Sequence, residues 1–288
     1  MKPYYQHAGI TIYHGDCRDI LPSLERAQLC ITSPPYNQGG ANLGYQPNST
    51  VGQSLYGDYE DNLSPEQYAQ FLFFVLAKSL ERTEYVFWNI QFLTSTREAI
   101  GYLLANYKNQ LKDVFIWSKQ AVAQISVDKA PRMATGFEFV FIFGKDDTRI
   151  FDKANFPENG YVPNIQTWYK SESFKEHHAT FPLELPMYFI QHFSKPGEMI
   201  IEPFMGTGTT LRAAKDLGRC ATGIEIDERC CEVAAKRMEQ ESIFQIPSNG
   251  NSIIPKPRAP KPNMTEFLNR LVQQGKTVDE AMQEWREL

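Results

Sequence analysis

Two short stretches of the chain carry residue types that could do chemistry. Ser33-Pro34-Pro35-Tyr36 follows the apolar run 28–32. Two consecutive prolines fix the backbone, so the Ser33 hydroxyl and the Pro34 carbonyl point rigidly one way. Both accept hydrogen bonds, and an exocyclic amine offers two N–H donors that match them. Tyr36 adds a flat face on which a base drawn out of a duplex could stack. Read alone, the same four residues are equally well a Pro-Pro turn with a core tyrosine.

The second stretch is Glu202-Pro203-Phe204-Met205-Gly206-Thr207-Gly208-Thr209-Thr210. A strand ending in an acid, then Gly-x-Gly, then a helix start makes a nucleotide-type site, because the glycines let a ligand approach the backbone closely. No Lys follows Gly208, so this is not a phosphate-cradling P-loop. The third glycine of a dinucleotide fingerprint is also missing. Glu225, 17 residues after Gly208, ends the next strand-like run. An acid there can accept hydrogen bonds from both ribose hydroxyls. The bland alternative is a tight turn and a solvated Glu.

The elements that must position these stretches read as alternating strands and helices. Strand-like runs fall at 10–13, 28–32, 85–90, 114–117, 137–143, 198–202 and 221–226, rich in β-branched and aromatic residues. Helical segments are expected at 17–24, from Ser64 to about Glu81, at 96–107, 182–193, 209–217 and 227–239. Ser64-Pro65-Glu66-Gln67 is a capping-box start. The pattern at 198–239 is a βαβ unit with a glycine-rich first turn. Residues 37–64 are rich in Gly, Asn and Ser and read as a long loop, which in a compact domain is usually functional or disordered. Residues 145–180 are polar and irregular.

Taken together, the two stretches resemble a known family, the DNA amino-methyltransferases that modify cytosine N4 or adenine N6. Its members carry a (D/N/S)-PP-(Y/F/W) motif and an FxGxG motif. Ser33-Pro34-Pro35-Tyr36 and Phe204-Met205-Gly206-Thr207-Gly208 match both. The catalytic motif precedes the cofactor motif, which is the permuted order of the family's β group. Gly15-Asp16-Cys17, His178-Ala179-Thr180-Phe181-Pro182, Gly223-Ile224-Glu225 and 137–145 resemble further family segments. The resemblance spans about 8–240. Glu202 stands where the family usually has Asp.

The resemblance implies an α/β fold: a Rossmann-like doubly wound methyltransferase sheet, circularly permuted in motif order, with inserted target-recognition loops. It implies S-adenosyl-L-methionine as cofactor, no metal, and double-stranded DNA as partner. Ser33, Pro34, Pro35 and Tyr36 would be catalytic. Cofactor contacts would fall on Asp16, Cys17, Thr32, His178, Ala179, Thr180 and Phe181 in the first half of the site. In the second half they would fall on Glu202, Phe204, Met205, Gly206, Thr207, Gly208, Thr209, Thr210, Glu225 and Ile226. Ser before Pro-Pro favours cytosine N4, with adenine N6 the alternative. A catalytically silent DNA- or cofactor-binding protein is the alternative from another class. A homodimer and a cognate restriction endonuclease are further partners the family reading allows.

The expected organisation is a methyltransferase domain at 1–243, with a catalytic half at 1–144, a target-recognition insertion at about 145–177 and a cofactor half at 178–243. A Pro-rich linker at 244–263 and a C-terminal helical pair at 264–288 follow. Trp88 and Trp117 read as core residues more readily than as stacking platforms.

Composition bounds the rest. The chain has 288 residues, 42% hydrophobic and 22% charged, which excludes collagen-like, coiled-coil and globally disordered classes. No apolar run reaches the ~18 residues of a membrane span, and 1–10 lacks a signal-peptide core. Five cysteines, at 17, 30, 220, 230 and 231, have neither disulfide-framework nor zinc spacing, which fits a reducing, cytosolic protein; the resemblance implies a cytoplasmic protein that is bacterial, archaeal or phage-encoded. The net charge of −5 argues mildly against nucleic acid, although it does not exclude a basic patch.

Overall fold

The computed structural model describes residues 1–37, 62–119, 135–151, 154–168 and 181–241, and five positions between 270 and 280. The chain divides into two compact units, Met1–Ile254 and Pro255–Leu288. The boundary falls inside the span read as a linker. In the second unit Thr277 and Glu280 form a reciprocal pair: the Thr277 N–H donates to Glu280 Oε2 at 2.8 Å, and the Glu280 N–H to Thr277 Oγ1 at 3.3 Å.

The first unit is built on a nine-stranded sheet. Its strands are β1 (Tyr5–His7), β2 (Ile10–His14), β3 (Ala27–Thr32), β4 (Thr83–Ile90), β5 (Leu111–Ser118), β6 (Phe137–Gly144), β7 (Ile165–Thr167), β8 (Met199–Glu202) and β9 (Cys220–Glu225). The spatial order is β1-β2-β9-β8-β3-β4-β6-β5-β7. The five strands β2, β9, β8, β3 and β4 run parallel; β6 is antiparallel to both β4 and β5.

The strands read as continuous apolar runs because both faces are covered. Leu29, Ile31, Tyr85, Phe87 and Ile200 point to one face. There they pack with α4 (Glu184–Phe193), α5 (Thr209–Asp216) and α6 (Glu228–Glu239). The alternating residues Cys30, Val86, Trp88 and Ile201 point to the other. They pack with α1 (Cys17–Ile20), α2 (Pro65–Arg82) and α3 (Arg97–Asn106). This is the doubly wound α/β architecture expected. Ser64 and Gln67 make the full capping box at the start of α2, with Pro65 in the first turn. Trp88 and Trp117 are 1% and 4% exposed and belong to the core.

Two edge strands, β1 and β7, are absent from the strand assignment made on sequence. Each has three residues, too few to carry a periodic signal. The described part of 145–168 is also tied to the sheet rather than a free excursion. β7 pairs with β5, Trp168 is buried, and Phe151 and Phe156 pack on Phe193 of α4. Asp146 pairs with the buried Lys112, and Arg149 with Asp113 at 2.6 Å. Among the described residues, no helix is long and apolar enough to cross a membrane.

Candidate active site

The direction of winding reverses between β8 and β3. β8 leads through α5 to β9 on one side, and β3 through α2 to β4 on the other. Adjacent strands that part in this way leave a crevice at their carboxyl ends, where open α/β sheets bind ligands. β8 and β3 are direct neighbours, with Leu29 opposite Ile200 and Cys30 opposite Ile201. The turn after Glu202 and the motif after Thr32 therefore emerge side by side.

Each part of Ser33-Pro34-Pro35-Tyr36 is held from a different element. The Tyr68 hydroxyl of α2, fully buried, donates to the Pro35 carbonyl at 2.8 Å. The Ser95 hydroxyl donates to the Tyr36 carbonyl at 2.8 Å. The Tyr36 hydroxyl donates to Glu138 Oε2 at 3.2 Å. Asn37 takes a left-handed φ of +50°, which Asn tolerates. Its side chain bonds both the N–H and the carbonyl of Leu63; residues 38–61, most of the span read as a long loop, lie outside the described residues. The carbonyls of Pro35 and Tyr36 are thus engaged, whereas no described residue bonds the Ser33 hydroxyl or the Pro34 carbonyl.

The turn after β8 is shaped by its glycines. Gly206 and Gly208 adopt φ of +51° and +80°. Gly208 precedes α5 and lies against α6, where an added Cβ would come within 3.0 Å of the Ala234 Cβ. Gly223 on β9 leaves room for Met205 and Leu211, since a Cβ there would sit 2.5 Å from the Met205 sulfur. Behind the turn, Arg237 of α6 donates to the Thr207 carbonyl at 2.7 Å.

Glu202 is 1% exposed and tied into this turn. It accepts from the Phe204 N–H at 3.2 Å and from the Thr210 hydroxyl at 2.8 Å. The Thr32 hydroxyl lies near enough to lower the carboxyl's pKa without reaching hydrogen-bond geometry. Burial dominates and pushes Glu202 up to about 8, with nearby Glu225 adding to the rise. Thr32, Glu202 and Thr210, each expected to touch a cofactor, form a buried support under the turn. The extra methylene of Glu over Asp carries the carboxylate to the Phe204 N–H.

Glu225 sits at the end of β9, partly exposed. Its two oxygens accept from the Gly206 N–H at 2.8 Å and the Asp227 N–H at 2.9 Å. Burial raises its pKa against those bonds. The His14 ring nitrogen Nε2 lies 3.0 Å from the Ile226 carbonyl. Asp16 caps α1 and grips Arg18 in a bidentate pair. Burial raises its pKa, but the hydrogen bonds and charge of Arg18 outweigh this and hold it low. Arg18 lies over Phe71, and Phe71 packs on Phe204 at 5.7 Å, which links Asp16 to the turn.

Cys17 is buried in the core with Ile20 and Leu21; burial pushes its thiol, and that of Cys30, up. Thr207 and Thr209 are buried in the turn and at the first residue of α5. Phe181 packs against the core beside α4. His178, Ala179 and Thr180 lie outside the described residues. Sequence reasoning missed Tyr68, Ser95, Glu138 and Arg237. Of these, only Glu138 carries a local signal, as a lone acid in the aromatic run 137–143.

A crevice at a sheet's switch point, with a glycine turn on one lip and a rigid polar motif on the other, is the arrangement in which doubly wound α/β folds bind nucleotide-type ligands. Residues 27–236 match the N6_N4_Mtase family, described as DNA methylase, and the chain belongs to that family of DNA amino-methyltransferases. It is 26% identical over 276 residues to the type II methyltransferase M.ScaI of Streptomyces caespitosus, covering 84% of this chain and 85% of that one. It is 24% identical over 263 residues to M2.DpnII of Streptococcus pneumoniae, covering 84% and 94%. Among solved structures, the cytosine-N4-specific PvuII DNA methyltransferase superposes with a TM-score of 0.63 at 18% identity, over 85% of this chain and 91% of that one. A DNA modification methylase of Thermus thermophilus, complexed with S-adenosyl-L-methionine, superposes with a TM-score of 0.56 at 22% identity, over 81% and 94%.

Proposed function

We propose that this chain transfers a methyl group from S-adenosyl-L-methionine to the exocyclic amino group of a base flipped out of double-stranded DNA, and that the base is cytosine. One observation carries the reading. At the crevice beside the glycine turn, the Ser33 hydroxyl and Pro34 carbonyl are acceptors with no bond to a described residue, while the Pro35 and Tyr36 carbonyls are engaged by Tyr68 and Ser95.

The residues fit the cofactor. The Thr207 hydroxyl is buried with no hydrogen-bond partner among the described residues, and each Glu225 oxygen accepts one N–H and has capacity for a second donor. Gly206, Thr207, Glu225 and Asp16 would hold it. When bound, it supplies a methyl group made electrophilic by a sulfonium centre.

The chain's own part is positioning. The Ser33 hydroxyl and Pro34 carbonyl accept hydrogen bonds from the two amine N–H groups and favour the pyramidal nitrogen, whose lone pair is withdrawn from ring conjugation. Tyr36 holds the ring flat against its face. Such fixed acceptors act by orientation and electrostatics rather than by covalent bonding. Cys17 and Cys30 are buried, and burial raises both thiols, which argues against either as a nucleophile. Ser33, a neutral hydroxyl in place of Asp or Asn, favours cytosine N4 over adenine N6. The likeness to type II methyltransferases supports a restriction–modification role in the cytoplasm with a cognate endonuclease.

Transfer of tritiated methyl from S-adenosyl-L-methionine to unmethylated phage DNA tests the reading. The wild-type chain should label DNA, and Ser33→Ala should not. Equal labelling by both would overturn the site assignment.

A further inference from the structure

The strand β6 is a run of Phe, Val and Ile broken by one acid, Glu138, which is buried. A carboxylate in such a strand is costly unless it is paired and hydrogen-bonded. Nothing in the sheet requires it, since an apolar residue would pack the same register opposite Trp117. Its oxygens gather three donors from three segments. Oε2 accepts from the Tyr36 hydroxyl at 3.2 Å. Oε1 accepts from Gln91 Nε2 at 3.0 Å and from Lys119 Nζ at 2.5 Å.

All three donors lie at the carboxyl end of the sheet. Tyr36 follows β3, Gln91 follows β4, and Lys119 follows β5 and lies over Trp117 at 5.2 Å. The Tyr36 backbone is fixed independently by Ser95. With the carbonyl held at one end and the phenol at the other, the ring has one orientation. None of the three donors belongs to the glycine turn.

We infer that Glu138 is a positioning residue for the target base, fixing the Tyr36 ring and holding Gln91 and Lys119 as one wall of the base pocket. This deepens the reading of Ser33-Pro34-Pro35-Tyr36 as the base-binding motif and rests on it. Its signature is a defect in use of DNA with cofactor binding intact, transmitted through the Tyr36 hydroxyl.

The test uses the full chain, unmethylated phage DNA and tritiated S-adenosyl-L-methionine, with cofactor affinity measured separately by calorimetry. Glu138→Gln should lower kcat/KM for DNA about tenfold or more, as loss of a charge-assisted hydrogen-bond set does. Its cofactor Kd should stay within about twofold, and Tyr36→Phe combined with Glu138→Gln should be no worse than Glu138→Gln alone, because the two act as one unit. Multiplying losses, unchanged kcat/KM, or an equal loss of cofactor affinity would each overturn the inference. If Glu138→Gln fails to fold, Lys119→Met reports on the same wall: a selective fall in kcat/KM for DNA supports the inference, and wild-type behaviour overturns it. A wild-type chain that labels no DNA defeats the parent reading and this one together. An active wild type with a fully active Glu138→Gln defeats this one alone.

Discussion

Arg237 of α6 donates to the carbonyl of Thr207 at 2.7 Å, from a side chain 8% exposed. The bond ties the glycine turn after β8 to a helix that begins beyond the next strand. Replacing Arg237 by Met leaves that carbonyl without its buried donor. We expect a loss of about 1–3 kcal/mol of stability and weaker binding of S-adenosyl-L-methionine. Urea unfolding and calorimetric titration check the two effects.

Gly208 has a φ of +80°, and a Cβ there would approach the Ala234 Cβ at 3.0 Å. Gly208→Ala combines a left-handed backbone with a contact that only movement of α6 could relieve. The expected cost is about 1–3 kcal/mol, read as a lowered urea midpoint with an unchanged m-value. A variant as stable as wild type would mean the turn is not packed on α6.

The buried Glu202 predicts a pH dependence of stability. Its pKa is raised by burial to about 8, and Glu225 shifts in the same direction. A carboxyl that holds its proton more tightly folded than unfolded stabilises the fold below the ordinary glutamate range. That contribution is lost as pH rises toward 8. Stability measured by urea at pH 5, 7 and 9 should therefore fall across the series. Glu202→Gln, neutral throughout, should flatten the fall.

Ser33→Ala and Tyr36→Ala should lose turnover by about a hundredfold or more, the scale of a fixed polar contact made in the transition state. Both should bind S-adenosyl-L-methionine as wild type does. Gly206→Arg should lose cofactor binding itself, because the Gly206 N–H is bonded to Glu225 and its φ is +51°. Calorimetry on the three variants separates the two halves of the site.

What was legible in the sequence was local chemistry. Pro34-Pro35 must end β3, and Gly206-Thr207-Gly208 must turn into a helix, whatever the rest of the chain does. The βαβ periods around them located the seven longer strands. The supports were not legible, because they join residues far apart in the chain: Tyr68 to Pro35 across 33 positions, Ser95 to Tyr36 across 59, Glu138 to Tyr36 across 102. Tyr68 lies on the buried stripe of an amphipathic helix and reads as core until its hydroxyl is seen. Glu202 reads as a ligand contact by position; its burial beneath the turn follows from packing against Thr210 at the start of α5. The acidic net charge misled as an argument against nucleic acid, since a whole-chain sum does not report the charge of one face.

The most direct test is mass spectrometry of nucleosides from unmethylated DNA incubated with the chain and S-adenosyl-L-methionine. We predict N4-methylcytosine. N6-methyladenine would contradict the assignment of the base to Ser33 while leaving the site in place. Absence of both products, with the cofactor bound, would contradict the central claim that this crevice methylates an exocyclic amine of DNA.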